Sequence, residues 1–371
     1  MGKQTMRQRR RAALAQCERV LSHSRRPTMR QYLERLADHD LDGPPDAYGD
    51  GPVSVLERRV SDLLGTEDAV FFPTGTMAQQ VALRCWAGRT GNPTVALHPR
   101  AHPEVHEGGA LQAVSGLRTV HPTREERLPL AGEVHGLDEP FGTLMLELPL
   151  REAGFVLPSW EELTAVVGAA RDREAVVHLD GARLWECTEH FGRSLAEIAD
   201  LADSVYVSFY KSLEGISGAA LCASADVVAE ARTWRHRYGG LVFQQWPAAL
   251  AALHGLEHEL PRLPGHVAHA KIVAAALRDA LTDEVPFFRV HPVIPCTHQF
   301  QVWLPYPART LDEAGVRQAE QTGTAVFGPW QDAALPGLAT TEVTVSASAA
   351  EWSADDVAEG VGSFLRFVRD R

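Results

Sequence analysis

The sequence predicts an α/β protein: a large, mostly parallel sheet with helices on both faces, followed by a small C-terminal α+β domain. Three observations carry this prediction. Short apolar runs of strand length alternate with stretches of helical apolar spacing, a βαβα rhythm. A chain of 371 residues suffices for about two domains. After Pro261–Gly265, which reads as a link, the remaining pattern is shorter and mixed. The divisions expected are an N-terminal arm or helix over 1–45, a large domain over 46–260 and a small domain over 261–371.

The first 26 residues carry Arg7, Arg9, Arg10, Arg11, Arg19, Arg25 and Arg26, a run suited to a solvated arm or helix, or to an anionic partner. Turn chemistry at Asp46–Pro52 leads into a helix with Leu56, Val60, Leu63 and Leu64 on one face. Ala69–Phe72 reads as a strand and Met77–Val81 as the start of the next helix. Further strands are expected at Thr94–His98, Thr143–Glu147, Ala175–Leu179 and Val205–Phe209. A helix over Ser159–Arg171 is capped by Ser159, and an Ala/Leu-rich helix covers about Trp246–Leu260. Beyond the link, the pattern predicts a helix from His266 to about Leu281, a strand Gln299–Leu304 and a helix Thr310–Thr322. Strands Ala325–Phe327 and Glu342–Ser346 and a last helix capped by Ser353 complete it.

Composition narrows the function. Apolar residues make up 45% and charged residues 23%, as in soluble globular proteins. A net charge of −12 argues against a nucleic-acid partner, which calls for a basic face. The five cysteines are scattered without CxxC spacing and read as reduced, buried thiols. No apolar run approaches the ~20 residues that span a bilayer, and the N-terminus has no signal-peptide pattern. A cytoplasmic enzyme without membrane association is expected.

Lysine is scarce. Lys3, Lys211 and Lys271 are the only three. Lys211 follows the apolar run Val205–Phe209 and precedes a glycine-bearing turn, where an ε-amine can be desolvated and made nucleophilic. The buried run Ala175–Leu179 ends in Asp180-Gly181-Ala182-Arg183, at the strand end where open α/β sheets bind ligands; a structural Asp–Arg pair is the plainer alternative. The segment Pro73-Thr74-Gly75-Thr76-Met77 joins a strand to a helix N-terminus and suits a phosphate, although any capped helix looks similar. The His-rich run around His102 and His106 contains no zinc spacing, so no metal is expected. A lysine, a strand-end carboxylate and a Gly-Thr helix start together match the needs of pyridoxal phosphate: an amine for its carbonyl, an anion for its ring nitrogen and a cradle for its phosphate.

In these segments the chain resembles the low-specificity threonine aldolases, or beta-eliminating lyases, among the fold-type-I pyridoxal-phosphate enzymes. The matching stretches are Tyr48-Gly49-Asp50, Pro73–Thr76, His102 with Glu107-Gly108-Gly109, His178–Arg183, the surroundings of Lys211, and Trp234-Arg235 with Gly239-Gly240. The resemblance implies that Lys211 holds the cofactor covalently, that Asp180 faces its ring nitrogen and that Gly75, Thr76 and Met77 bind its phosphate. It implies that His102 stacks on the ring and serves as a base, and that Arg183 holds the substrate carboxylate or the ring oxygen. Gly239 and Gly240 would reach a neighbouring subunit's cofactor in a homodimer or homotetramer. Tyr48 is a substrate-binding candidate.

Departures from the family pattern concern the substrate side. The family's Asn-Thr-His after the strand-end glutamate is replaced by Leu148-Pro149-Leu150-Arg151, and arginines are missing from Leu241–Gln244 and Thr341–Val345. Ser212 and Glu214 stand where the family prefers glycines. Arg151 is a candidate replacement for a carboxylate clamp. The expected activity is aldolase-type Cα–Cβ cleavage of a β-hydroxy-α-amino acid to glycine and an aldehyde. The alternatives are β-elimination, decarboxylation, racemisation or a transaldol reaction on a specialised amino acid, and, more remotely, a non-catalytic scaffold subunit.

Overall fold

The computed structural model describes residues 3–22 and 27–370. The chain divides into two compact units, Thr28–Leu263 and Met1–Pro27 together with Pro264–Arg371. The sequence reading set residues 1–45 apart; here helix Lys3–Gln16 belongs with the C-terminal elements and helix Met29–Ala37 with the large unit.

The large unit is built on a seven-stranded sheet in the order Asp68–Phe72, Ala219–Ala223, Ser204–Ser208, Val176–Gly181, Thr143–Glu147, Thr94–Ala96, Arg118–Val120. Ala219–Ala223 is antiparallel to both neighbours and all other pairings are parallel. Every residue of the central strands Thr143–Glu147 and Ser204–Ser208 is buried, which explains their near-continuous apolar sequence. Helices cover both faces. On one, Val53, Leu56 and Val60 of helix Gly51–Leu64 and Leu163, Val166 and Val167 of helix Trp160–Asp172 pack over Leu144, Val177 and Val205. On the other, Ala78, Val81 and Ala82 of helix Gly75–Thr90 and Val227 and Val228 of helix Ala225–Arg237 pack over Val70, Tyr206 and Leu221.

The parallel register places Glu147 beside Asp180 and Asp180 beside Tyr206. The carboxyl ends of three adjacent strands therefore bring the candidate residues to one edge, where ligands bind in open α/β sheets.

Several elements differ from the sequence reading. Pro261–Gly265 is not a link: Leu260–Arg262 forms a 3-10 turn and helix Leu263–Leu281 begins at once. Proline is tolerated in a first helical turn, where its missing N–H would have no partner. Strand Arg118–Val120 is partly exposed and carries little apolar signal. Helix Ala225–Arg237 ends in Arg235, His236 and Arg237, a basic last turn that favours the helix dipole but hides the apolar stripe.

In the second unit, strands Gln331–Asp332, Ala339–Thr344, Gln299–Leu304 and Arg289–His291 form an antiparallel sheet, and Arg19–Val20 pairs in parallel with Thr324–Ala325. The strands expected at 325–327 and 342–346 lie earlier, at Thr324–Ala325 and Ala339–Thr344. The N-terminal arginines pair within the unit. Arg9 reaches Glu313 at 2.6 Å and Glu320 at 2.6 Å, and Arg10 pairs with Asp312, all three acids on helix Ala308–Thr322. Arg25 and Arg26 lie outside the described residues. Among the described residues no helix is long and apolar enough to cross a membrane, and no group of three or more His, Cys, Asp or Glu could hold a metal ion.

Candidate active site

Helix Gly75–Thr90 starts where strand Asp68–Phe72 ends, and Thr74 caps it by accepting a hydrogen bond from Met77 N at 3.2 Å. The amides of a first turn have no carbonyl partner inside the helix and carry its positive end. Gly75 has a packing reason of its own: a Cβ there would overlap the buried Tyr206 hydroxyl. Met77 packs on Gly240, where a Cβ would overlap its sulfur. Gly239, at φ +75°, turns the chain after helix Ala225–Arg237, with Gly239 N bonded to His236 O and Gly240 N to Arg235 O. Gly240 thus lies against the first turn of its own chain's helix.

The lysine turn is fixed from several sides. Trp185 Nε1 donates to Ser208 O at 2.9 Å, Gly215 N to Phe209 O at 2.8 Å and Glu214 N to Lys211 O at 3.2 Å. Gly255 of helix Trp246–His258 lets the Leu213 carbonyl come so close that a Cβ would overlap it. Ser212 donates to Glu186, and Arg35 pairs with Glu214 at 3.1 Å. Glu214 adopts φ +53°, in the region that favours glycine, so the side chains found in place of glycines are both tied down by partners. The Lys211 amine is lowered from 10.5 to about 8, chiefly by burial and then by Arg183, with Asp180 and Glu147 acting against the shift.

Beside it sits an acidic pair. Asp180 is 1% exposed and accepts from Ala182 N at 3.1 Å. Its carboxyl is raised by burial, with Lys211 and His102 opposing. Glu147 is raised by burial and by Asp180 to about 7, and accepts from His102 N at 2.7 Å and Arg151 N at 3.2 Å. It thereby ties the start of helix His102–His106 and the segment after its own strand to the sheet edge. His102 Nδ1 lies 3.2 Å from Glu107, whose other oxygen accepts from Gln80 at 3.3 Å. His178 is structural: its ring, 0% exposed, lies between Ser204 Oγ at 2.8 Å and Gln79 Oε1 at 2.7 Å, and burial lowers it to about 3.

Arg183 lies over the Phe155 ring, 5.3 Å from its centroid, and makes no ion pair among the described residues. Phe155 takes φ +60° in the turn after Arg151. Arg151 itself is engaged: Nη1 donates to Glu152 Oε1 at 3.1 Å and lies 3.3 Å from His106 Nε2. Tyr48 is 57% exposed and packs edge-on against Phe243, centroids 5.2 Å apart; among the described residues no hydrogen bond or ring contact ties it to the Lys211 cluster. The structure thus brings Lys211, Asp180, Arg183, Arg151 and His102 together by charge and contact. Sequence reasoning missed Glu147 as a buried partner of Asp180, Tyr206 beneath Gly75, and the His106–Glu152 contact. The signal for Glu147 was its place at the end of a strand parallel to the Asp180 strand.

The donor set suits pyridoxal phosphate: a depressed amine, a buried carboxylate with no arginine ion pair among the described residues, and the amides of a helix start at Gly75–Met77. Residues 27–292 match the family described as beta-eliminating lyase. The chain belongs to this family. Low specificity L-threonine aldolase of Escherichia coli (strain K12) is 31% identical over 245 residues, 64% of this chain and 73% of that enzyme. Solved structures match over nearly the whole chain as well. One, from Exiguobacterium sp. 255-15, is designated aromatic amino acid beta-eliminating lyase/threonine aldolase; it is 33% identical, with TM-score 0.89, covering 97% of this chain and 99% of that one. Another, from Listeria monocytogenes EGD-E, is designated L-allo-threonine aldolase; it is 31% identical, with TM-score 0.89, covering 98% and 99%. This beta-eliminating lyase family member is a pyridoxal-phosphate-dependent lyase of fold type I.

Proposed function

We propose that the protein cleaves the Cα–Cβ bond of a β-hydroxy-α-amino acid, releasing glycine and an aldehyde. The observation that carries this reading is the Lys211 amine, lowered to about 8 between Arg183 and the buried Asp180, in a chain whose relatives are threonine aldolases. Lys211 would hold the cofactor at its carbonyl carbon and Asp180 at its ring nitrogen. Gly75, Thr76 and Met77 would hold the phosphate, with Gly240 keeping Met77 in place, and His102 would cover one ring face. When bound, pyridoxal phosphate supplies an electron sink for the pair released at the substrate Cα. Arg183, which stacks on Phe155 and makes no ion pair among the described residues, would take the substrate carboxylate. Arg151, engaged by Glu152, shapes the mouth instead of clamping the carboxylate.

Self-association is part of this reading. Tyr48 and Phe243 form an exposed aromatic pair, and Gly239 stands beside it in the chain; a second copy would cover them and bring Tyr48 to a neighbouring site. None of the five cysteines forms a disulfide among the described residues, which supports a cytoplasmic location. β-Elimination is the second reading, favoured by the designation of the Exiguobacterium relative. Incubation with L-threonine, L-allo-threonine and phenylserine separates the two. Glycine with acetaldehyde or benzaldehyde supports the aldolase; ammonia with a keto acid supports elimination and refutes it.

A further inference from the structure

His106 is the imidazole that the reading above leaves without a task. It lies four residues beyond His102 on helix His102–His106, so the two rings share a face, with centroids 5.2 Å apart. Its Nε2 is 2.8 Å from Glu152 Oε1, a contact between residues 46 apart in the chain. Glu152 is fixed in turn by Arg151 Nη1 at 3.1 Å on the same oxygen and by Arg100 Nη1 on its carbonyl, also at 3.1 Å. Two groups meet Nε2, the Glu152 carboxylate at 2.8 Å and the Arg151 Nη1 donor at 3.3 Å; the closer carboxylate favours the tautomer that carries its proton there and leaves the lone pair on Nδ1. The charged and titratable groups against this ring are Glu152, Arg151 and His102.

The two imidazoles face different parts of the site. His102 points Nδ1 at Glu107, whose side chain is 1% exposed, and both residues act on the Asp180 carboxyl. His106, its side chain 39% exposed, stands beside the Arg151–Glu152 segment that follows strand Thr143–Glu147. His102 is thereby engaged at the Asp180 end, and the Nδ1 of His106 has no hydrogen bond or ion pair among the described residues.

We propose that His106, oriented by Glu152, is the base that takes the β-hydroxyl proton. This rests on the aldolase reading. The O–H proton passes to His106 Nδ1, the oxygen pair becomes the second C–O bond of the aldehyde, and the Cα–Cβ pair stays with Cα. A proton added there completes glycine, and His106 returns its own proton, so protons balance over the cycle. His106 replaces, from the helix side, an imidazole that the Leu148–Arg151 segment does not offer.

The test has an apo and a holo arm. In the apo protein, 15N imidazole spectra should show His106 protonated on Nε2, and Glu152→Gln should weaken that preference; protonation on Nδ1 in the wild type overturns the proposal. In the holoenzyme, His106→Asn should lower kcat for phenylserine cleavage by about 10²–10⁴-fold, the range for loss of a general base. Exchange of the glycine α-proton in D2O involves no hydroxyl and should stay within about 3-fold of wild type by the same argument. Cleavage by His106→Asn within about 3-fold of wild type, or equal loss of cleavage and exchange, contradicts the assignment to the hydroxyl. A wild-type holoenzyme that exchanges glycine yet cleaves no β-hydroxy amino acid refutes the aldolase reading itself.

Discussion

The environment of Lys211 makes a prediction with opposite signs at two neighbours. Burial and Arg183 lower its amine from 10.5 to about 8, while Asp180 and Glu147 pull it back up. At pH 7 this leaves roughly a tenth of the amine neutral, against about 1 in 3,000 for an unperturbed lysine. Arg183→Gln removes the like charge and should raise the pKa by about 1 unit, cutting the neutral fraction to roughly 1 in 100. Asp180→Asn removes the larger of the two opposing charges and should lower it by about as much. Because the chain has only three lysines, 13C-ε-lysine labelling of the apo protein gives three resonances to follow against pH. Since the folded-state value lies below the unfolded one, this group also makes the apo protein gain stability as pH rises from about 8 to 10.5. An Lys211 resonance titrating near 10.5 in the wild type, or a shift in the same direction in both variants, would refute the reasoning.

Two further outcomes follow from the same edge of the sheet. Gly75→Ala forces a Cβ into the Tyr206 hydroxyl, an overpacking of about 1–3 kcal/mol. Displacement of the first helical turn should weaken cofactor binding by roughly 5- to 150-fold in a fluorescence titration, and adding Tyr206→Phe should restore part of it; wild-type affinity in Gly75→Ala would exclude that turn as the cradle. Glu147, raised from 4.5 to about 7, stabilises the fold below about 4.5 and loses that contribution as pH rises through 7. Urea unfolding of the apo protein at pH 5 and pH 8 should therefore show a smaller pH-dependent loss in Glu147→Gln than in the wild type.

The positions of Lys211, Asp180 and Arg183 could be expected from the sequence because they stand at or just past the carboxyl ends of two buried strands, a fixed place in an α/β sheet. The alternation of apolar runs and helical spacing also made the large domain readable. What stayed hidden depends on residues distant in the chain. The need for glycine at position 75 comes from Tyr206, two strands away in sheet order. Glu147 gains its raised pKa from Asp180 across a parallel register that no local pattern announces. Arg151 is a clamp candidate by its residue type; beside its neighbour Glu152 it meets His106, on a helix some 45 residues earlier that no local pattern announces. The N-terminal arginines read as a solvated arm or helix, or a surface for an anionic partner, yet Arg9 and Arg10 on helix Lys3–Gln16 find their acids more than 300 residues on, with sequence separations of 304 and 302.

The central claim is that Lys211 is the residue to which the cofactor is joined. Borohydride reduction of the holoprotein followed by peptide mass spectrometry tests it most directly. The account predicts a pyridoxyl group on Lys211, none on Lys3 or Lys271, and loss of both the label and the yellow colour in Lys211→Ala. A label on Lys271, or a yellow Lys211→Ala protein that reduces as the wild type does, would contradict it.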